Sequence, residues 1–348
     1  MTTAALLGLV VAAALALSMG VTRVALAYAR RRGLLDQPGR RRSHTTPTPR
    51  GGGIGVVAAV VLIGIPAWCI TGAASGWWQP AAVTLAVLAV ALIGWRDDHV
   101  PLPVLPRLAV HAGAALLVAA AILAPPALDA PARWWFLLPL ALLLAAFINA
   151  HNFMDGIDGL LGQQGLFVLL GIGVLAAWLG APGVAVLAFA GAAGCLGFLF
   201  YNLPPARIFM GDVGSGALGL VLGASAALLV RRFPGALWAC AILPSAFLVD
   251  SGLTLLHRVL AGQRWYAPHR QHLYQWLVRV NWSHARTDGA YMLWNLLLVA
   301  PLAWLAARWP HRGAWCALAA YAATGVVWYL GKRACLAVVR WSAYRETA

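Results

Sequence analysis

The chain has 348 residues, 62% hydrophobic and 10% charged, with a mean hydropathy of +0.78. These figures exclude a water-soluble globular protein, and no polar stretch is long enough for a separate soluble domain. The formal net charge of +15 invites a nucleic-acid partner, but the basic residues follow the ends of apolar runs and form no binding stripe.

Apolar runs of roughly 17–25 residues recur from end to end and predict an all-α, polytopic integral membrane protein. A single membrane domain then occupies 1–348, with about eleven spans. The first run, 4–28, lacks a basic segment before it and is followed at once by "ARRR", which reads as a retained span and not a cleaved signal peptide. The loop at 30–53 carries Arg40–Arg42, His44 and Arg50 ahead of three glycines, stiffened by Pro47 and Pro49. It suits either a bound phosphate, with Arg50 as contact, or simple anchoring at the membrane surface.

Spans at 54–71 and 81–95 follow, and the second closes on "GWRDDHV" (94–100). Asp97 and Asp98 cannot face one direction on a helix, since neighbours are about 100° apart. One therefore faces a site while a basic neighbour holds the other, with 96–107 as the connecting loop.

Spans at 108–124 and 134–150 lead into "NAHNFMDGIDGL" (149–160), the most unusual stretch in the chain. Asn149, Asn152, Asp155 and Asp158 recur every third position, broadly on one helical face. Their oxygens suit a hard divalent cation such as Mg²⁺. Gly156 and Gly159 let the backbone bend or approach a ligand.

Two spans, 165–180 and 183–201, are parted only by "APG". Next comes "NLPPARIFMGDVGSGALGL" (202–220), where Asp212, Gly214 and Ser215 precede a span expected at 216–230. A glycine-rich turn entering a helix exposes N–H groups and favours phosphate, although the Gly-Lys-Ser/Thr of a Walker A motif is absent. The span at 236–257 carries Asp250 about two turns from its inner end.

The longest polar loop, 258–288, holds His269, Arg270 and His272 amid Arg258, Arg264 and Arg279. Guanidinium forks match phosphate oxygens, and histidine donates or shuttles a proton near neutral pH. Zinc is disfavoured, because Arg270 lies between the histidines and no thiol is near. Spans at 289–307 and 314–331 complete the set.

With the N-terminus outside and the C-terminus inside, 19 of the 25 basic residues fall in inner segments and five in outer ones. That asymmetry is the positive-inside rule. Of ten acidic residues, Asp36, Asp97, Asp98, Asp155, Asp158, Asp212 and Asp288 also fall inside. Five polar segments (30–53, 96–107, 149–164, 202–215 and 258–288) thus share one face. They combine carboxylates for a metal, glycines for close approach, and Arg and His for phosphates. The set fits phosphoryl chemistry on a diphosphate at the inner membrane surface. The five cysteines show no paired spacing and read as packing residues.

These motifs, in this order, resemble the polyprenyl-phosphate N-acetylhexosamine-1-phosphate transferase family. The resemblance runs over roughly 40–280 and rests on "SHTTPTPRGGGIG", the pair at 97–98, "NAHNFMDGIDGL", "NLPPARIFMGDVGSGALG" and Asp250 leading to "HRQHLYQ". It implies transfer of a sugar 1-phosphate from a UDP-N-acetylhexosamine to undecaprenyl phosphate, releasing UMP, in a bacterial inner membrane with the active site on the cytoplasmic face. It implies Mg²⁺, with Mn²⁺ as a substitute, held by Asp212 and Asn152. It assigns Asp97 to the lipid phosphate, Asp98 to the electrostatics beside the metal, and Asp158 to the nucleoside. His269, Arg270 and His272 would hold the diphosphate and sugar; Asp155 is catalytic by position, with no role of its own. The "PHRQH" segment departs from the three consecutive histidines of the muramoyl-pentapeptide branch and favours a surface-polysaccharide role such as O-antigen initiation.

Two rival readings are weaker. A multi-span transporter of an anionic substrate would place its ionisable groups near the bilayer midplane, and here only Asp250 is deep. A CDP-alcohol phosphotransferase would carry Asp-Gly-x-x-Ala-Arg, which "DGIDGL" does not supply. A homodimer through apolar helices has no residue-level argument for it.

Overall fold

The computed structural model describes residues 3–37, 46–71, 76–124, 135–264, 266–267 and 269–347. Arg40–Arg42 and His44 lie outside the described residues.

All eleven expected runs are helical: α1 Thr3–Arg32, α2 Ile54–Ile70, α3 Trp78–His99, α4 Val104–Leu123, α5 Leu137–Phe153, α6 Leu160–Trp178, α7 Pro182–Asn202, α8 Asp212–Arg232, the pair α9 Pro234–Ile242 and α10 Ser245–Leu260, and, beyond a short helix α11 Leu273–Arg279, α12 His284–Arg308 and α13 Gly313–Thr347. Among the described residues, eight helices are long and apolar enough to cross a membrane, and the bent pair makes a ninth. The helices α2 and α5 are shorter. At 17 residues, α5 reaches only about 25 Å, less than a bilayer core of about 30 Å. Its last turn is spent on Asn149 and Asn152.

The span expected over 236–257 is broken. The helices α9 and α10 meet at 66°, at a break that contains Pro244. Proline has no N–H to donate and its ring clashes with the preceding turn, so the helix cannot run straight through. Asp250 is consequently not a lone charge within a straight span but a cap for α11.

Burial ranks the helices. The most apolar windows of α7 and α8 are 83% buried, against 22% for α1 and 28% for α12 and α13. The centre is built by small residues: Gly219 of α8 packs on the backbone of Phe147 and Ile148, and Gly194 of α7 on Ala59 of α2. Without a hydrophobic drive inside lipid, such close approach is what dispersion needs.

The loop after α1 is more ordered than its composition suggests. Gly33 ends the helix at φ +67, and Leu34 N–H donates back to the Ala29 carbonyl. Leu35–Asp36 (β1) pairs antiparallel with Thr48–Pro49 (β2). The chain then runs beside 208–210: Phe209 N–H donates to Pro49 O (2.8 Å), Gly52 N–H to Phe209 O and Gly53 N–H to Met210 O (both 2.9 Å). These bonds bring the three-glycine segment against the first turn of α8.

Candidate active site

The site begins where α3 ends. Asp97 and Asp98 diverge, as their helical positions require. Asp97 Oδ1 accepts from the Leu102 N–H (2.6 Å), and its Oδ2 from Arg107 Nη1 (2.7 Å). Asp98 turns the other way and accepts from the backbone N–H groups of Asp212 and Val213, both at 3.1 Å. It therefore caps the N-terminus of α8 from a different helix. Arg50 lies beside it, Nε 3.9 Å from Oδ1. Asp98 is thus a helix cap that fixes the backbone of Asp212, with Arg50 facing it.

Asp212 is the first residue of α8, earlier than the start expected at 216, so Gly214 and Ser215 lie within the first helical turn. Its side chain is 30% exposed. Asn152, on the last turn of α5, donates through Nδ2 to Asp212 Oδ1 (2.6 Å) and Ser215 Oγ (2.8 Å). Arg107 Nη2 donates to Asn152 Oδ1 (3.3 Å) and lies 3.6 Å from Asp212 Oδ2. Asp97, Arg107, Asn152, Asp212 and Ser215 thus form one connected network from α3, α4, α5 and α8. Gly214 serves packing: its Cα nearly touches Gly53, so a Cβ on either would strike the other backbone at 2.5 Å. Asn149 bonds back to Ala145 O of its own helix (2.7 Å) and joins no partner in this network.

Asp155 follows in the loop between α5 and α6. Burial, then the carboxylates of Asp212 and Asp98, push its carboxyl well above the ordinary carboxylate value, opposed by a backbone hydrogen bond from Gly211. The folded state then binds a proton that the unfolded chain releases, so stability is lost as pH rises from the ordinary carboxylate value toward the raised folded one. Asp155→Asn should therefore melt higher than wild type at neutral pH without divalent cations, with a flatter dependence between acid and neutral pH. Parallel melting curves for the two proteins across that range would show that Asp155 carries no such burden.

Asp158, expected beside the nucleoside, is tied to two other parts of the chain. Its Oδ2 accepts from the Ala206 N–H (3.0 Å), and Oδ1 lies 3.1 Å from His284 Nδ1 on α12. Beside it, Gly159 (φ +80) donates to Asn202 Oδ1, and Asn202 Nδ2 donates to Ile208 O, both at 2.9 Å. Asp158 and Asn202 lace the 154–159 loop to the 203–211 loop, which sets Asp155 and Asp212 side by side.

The histidine loop is held by Asp250. Its carboxylate accepts from Leu273 N–H (2.9 Å), Trp328 Nε1 (3.0 Å), Tyr291 OH (2.8 Å) and Thr254 Oγ1 (3.3 Å), with His272 Nδ1 at 3.6 Å. Arg258 pins the same loop through Arg264 O (2.6 Å). The His272 ring stacks on Tyr274 at 5.8 Å, and Tyr274 OH donates to Phe153 O (3.1 Å), directly against Gly156. Through Tyr274 the loop is joined to the Asp155 segment. His269 sits 5.0 Å from His272, ring to ring, and Arg270 lies between them in the chain. Burial, then His272, Arg258 and Lys332, push the His269 imidazole down to about 4, so it is a neutral hydrogen-bonding group at neutral pH. Asp250→Asn leaves donors facing donors and should cost roughly 3 kcal/mol or more. A thermal unfolding curve that does not shift would remove Asp250 as the anchor of α11.

Several functional candidates had been missed. Arg107 counted only toward topology, and its one signal was its place ten residues after the aspartate pair. Gly94 packs against the backbone of Asp212 and Val213, and a Cβ there would overlap the Asp212 carbonyl. Asn202 and His284 had no local signature.

The decisive comparison concerns sequence over nearly the whole site. Residues 80–230 match the model of glycosyl transferase family 4. A decaprenyl-phosphate N-acetylglucosaminephosphotransferase of Mycolicibacterium smegmatis is 34% identical over 83% of this chain and 79% of its own length. The chain belongs to glycosyl transferase family 4. A probable undecaprenyl-phosphate N-acetylglucosaminyl 1-phosphate transferase of Bacillus subtilis is 30% identical over 72% of each chain. A phospho-N-acetylmuramoyl-pentapeptide-transferase of Moorella thermoacetica is 35% identical over 63% of this chain and 74% of its own. This family 4 member is a membrane-embedded phosphotransferase, and the carboxylate network between α3, α4, α5 and α8 lies within the matched region.

Proposed function

We propose that this enzyme transfers N-acetylhexosamine 1-phosphate from a UDP-sugar to undecaprenyl phosphate, releasing UMP and starting a cell-surface polysaccharide such as O-antigen. The reaction runs at the cytoplasmic face of a bacterial inner membrane. One observation carries the reading: Arg107 joins Asp97, Asn152 and Asp212, so a phosphate-matching cation and several oxygen ligands converge at one end of the bundle. UDP-N-acetylglucosamine is the first donor to test, because two relatives spanning more than two thirds of both chains are named for that sugar.

The residues fit Mg²⁺. Asp212 is partly exposed, Asn152 and Ser215 add oxygens, and the Asp155 carboxyl is strained by its acidic neighbours. Among the described residues no three carboxylate, His or Cys side chains close on one point, which disfavours an all-protein cage. Mg²⁺ commonly takes one or two carboxylates and leaves its other positions to water and phosphate. Held by Asp212 and Asn152, it would neutralise charge developing on the diphosphate.

The chain's own residues do the rest. Asp97 must part from Arg107 to act; it then orients the lipid phosphate or accepts its proton. Arg107, once free, can turn its fork onto phosphate oxygens. A lipid phosphate oxygen attacks the β-phosphorus, the bond to the bridging oxygen breaks, and the electron pair leaves with UMP. This direct route is preferred to a phospho-enzyme, because a phosphate monoester is already anionic near pH 7. The half-buried loop 269–272 offers neutral His269 and cationic Arg270 to the diphosphate and sugar.

The test is a donor panel. Purified protein with Mg²⁺, undecaprenyl phosphate and the UDP derivatives of N-acetylglucosamine, N-acetylfucosamine or N-acetylquinovosamine should release UMP with at least one donor, the first by expectation. No UMP from any of them would overturn the assignment.

A further inference from the structure

A half-open cavity of about 520 Å³ lies between α10, the short helix α11, α12 and α13. Among the described residues, no wall of it comes from α3, α4, α5 or α8, which carry the carboxylate network. Its longest side is a stripe of α13. Thr324, Trp328, Gly331, Cys335 and Val338 recur at intervals of three and four and line one groove about 21 Å long. Tyr291 and Trp294 of α12 line the facing wall, and Trp282 stands just before α12, at the inner end.

The cavity has little to offer water. Asp250 accepts from Tyr291 OH and Trp328 Nε1, and Thr324 Oγ1 accepts from Trp294 Nε1 and donates to Ala320 O. A buried water typically takes about three polar partners, so an apolar occupant suits the space better. Val327 and Val338, also in the wall, are exposed, which leaves the groove open along the flank of α13.

The inner end carries positive charge. Arg286 lies over the Trp282 ring, 4.0 Å from its centroid, and Arg279 lies over Trp276 of α11 at 4.6 Å. Both arginines are exposed, and among the described residues neither guanidinium has a hydrogen-bond acceptor or an ion pair. A basic mouth on an apolar groove at the inner face fits an anionic phospholipid, with its phosphate on the arginine forks and one acyl chain along α13. The polyprenyl acceptor fits less well, because its phosphate must reach Asp97 and Arg107 on α3 and α4.

We propose that this cavity binds an anionic phospholipid of the inner leaflet, whose acyl chain braces the Asp250 anchor of the histidine loop. Asp250, its donors Tyr291 and Trp328, and Leu273, whose N–H it accepts, all lie in the cavity wall. A chain seated there packs against every one of them.

The test uses the full-length protein in detergent micelles. It is titrated with phosphatidylglycerol, or with phosphatidylcholine of the same acyl chains, and bound lipid is counted by native mass spectrometry. Wild type should retain phosphatidylglycerol more tightly than phosphatidylcholine. Arg286→Gln should weaken phosphatidylglycerol roughly fivefold and leave phosphatidylcholine unchanged. Ala334→Trp fills the groove from an exposed wall position and should retain one lipid fewer per chain. Equal retention of the two lipids by wild type, wild-type affinity in Arg286→Gln, or a full lipid complement in Ala334→Trp overturns the proposal. So does displacement of phosphatidylglycerol by undecaprenyl phosphate at equal concentration, which would make the cavity an acceptor site. A fall from dimer to monomer in Ala334→Trp with lipid retention unchanged would make it an interface between copies instead. Hydrogen exchange over 269–279 should slow when phosphatidylglycerol binds, and unchanged exchange overturns the bracing. None of these measurements requires a UDP-sugar to be turned over.

Discussion

Asp212→Asn should cut turnover by at least about 10²–10³-fold while the protein still inserts and melts near the wild-type temperature. The two halves of that result have different causes. Asp212 N–H, not its carboxylate, is what Asp98 holds, so the α8 cap survives the substitution. The carboxylate is 30% exposed, and Asn152 and Arg107 are its partners. Asparagine keeps the shape and removes the charge that would face the metal. The comparison requires a coupled UMP assay and a thermal melt on the same preparation. Full activity in the variant would take Asp212 out of the metal site.

Gly94→Ala should be nearly as damaging, although Gly94 touches no substrate. The added methyl would overlap the carbonyl of Asp212 and press on the Val213 N–H, both backbone groups that cannot swing aside as a flexible side chain does. Either α3 or the first turn of α8 must move. Displacement of a reacting group by about 1 Å can cost on the order of 10²-fold in rate. Overpacking of this kind also costs about 1–3 kcal/mol of stability. A lower kcat with little change in KM for the UDP-sugar is the expected pattern, since the contacts proposed for the diphosphate and sugar are in the 269–272 loop and not at the α3–α8 contact. An unaltered kcat would mean that the α3–α8 contact does not set the position of Asp212.

How much of this was legible in the sequence divides along a physical line. The helices were readable because each must satisfy its own backbone within lipid, and an apolar run states that requirement locally. The break in α9–α10 was marked by Pro244, yet hydropathy stayed high across it and concealed the bend. Asn152, Asp155 and Asp212 were readable because polar groups at the ends of apolar runs are conspicuous. Arg107 was not, since an arginine at an inner helix end is also what topology demands. The roles of Asp98 and Asp158 depend on backbone N–H groups far away in the chain, at 212–213 and 206, and no local spacing announces such a bond. Asp250 looked like an intramembrane charge and is instead a hub whose donors come from three other elements.

The central claim is that this network moves a sugar together with its phosphate, and not a sugar alone. The most direct measurement follows UDP-N-acetylglucosamine labelled at its β-phosphorus, in the presence of Mg²⁺ and undecaprenyl phosphate. The account predicts that the label passes into the lipid extract in step with the UMP released, and that omitting the lipid phosphate abolishes both. Release of UDP, with the label left in the aqueous phase, would contradict it.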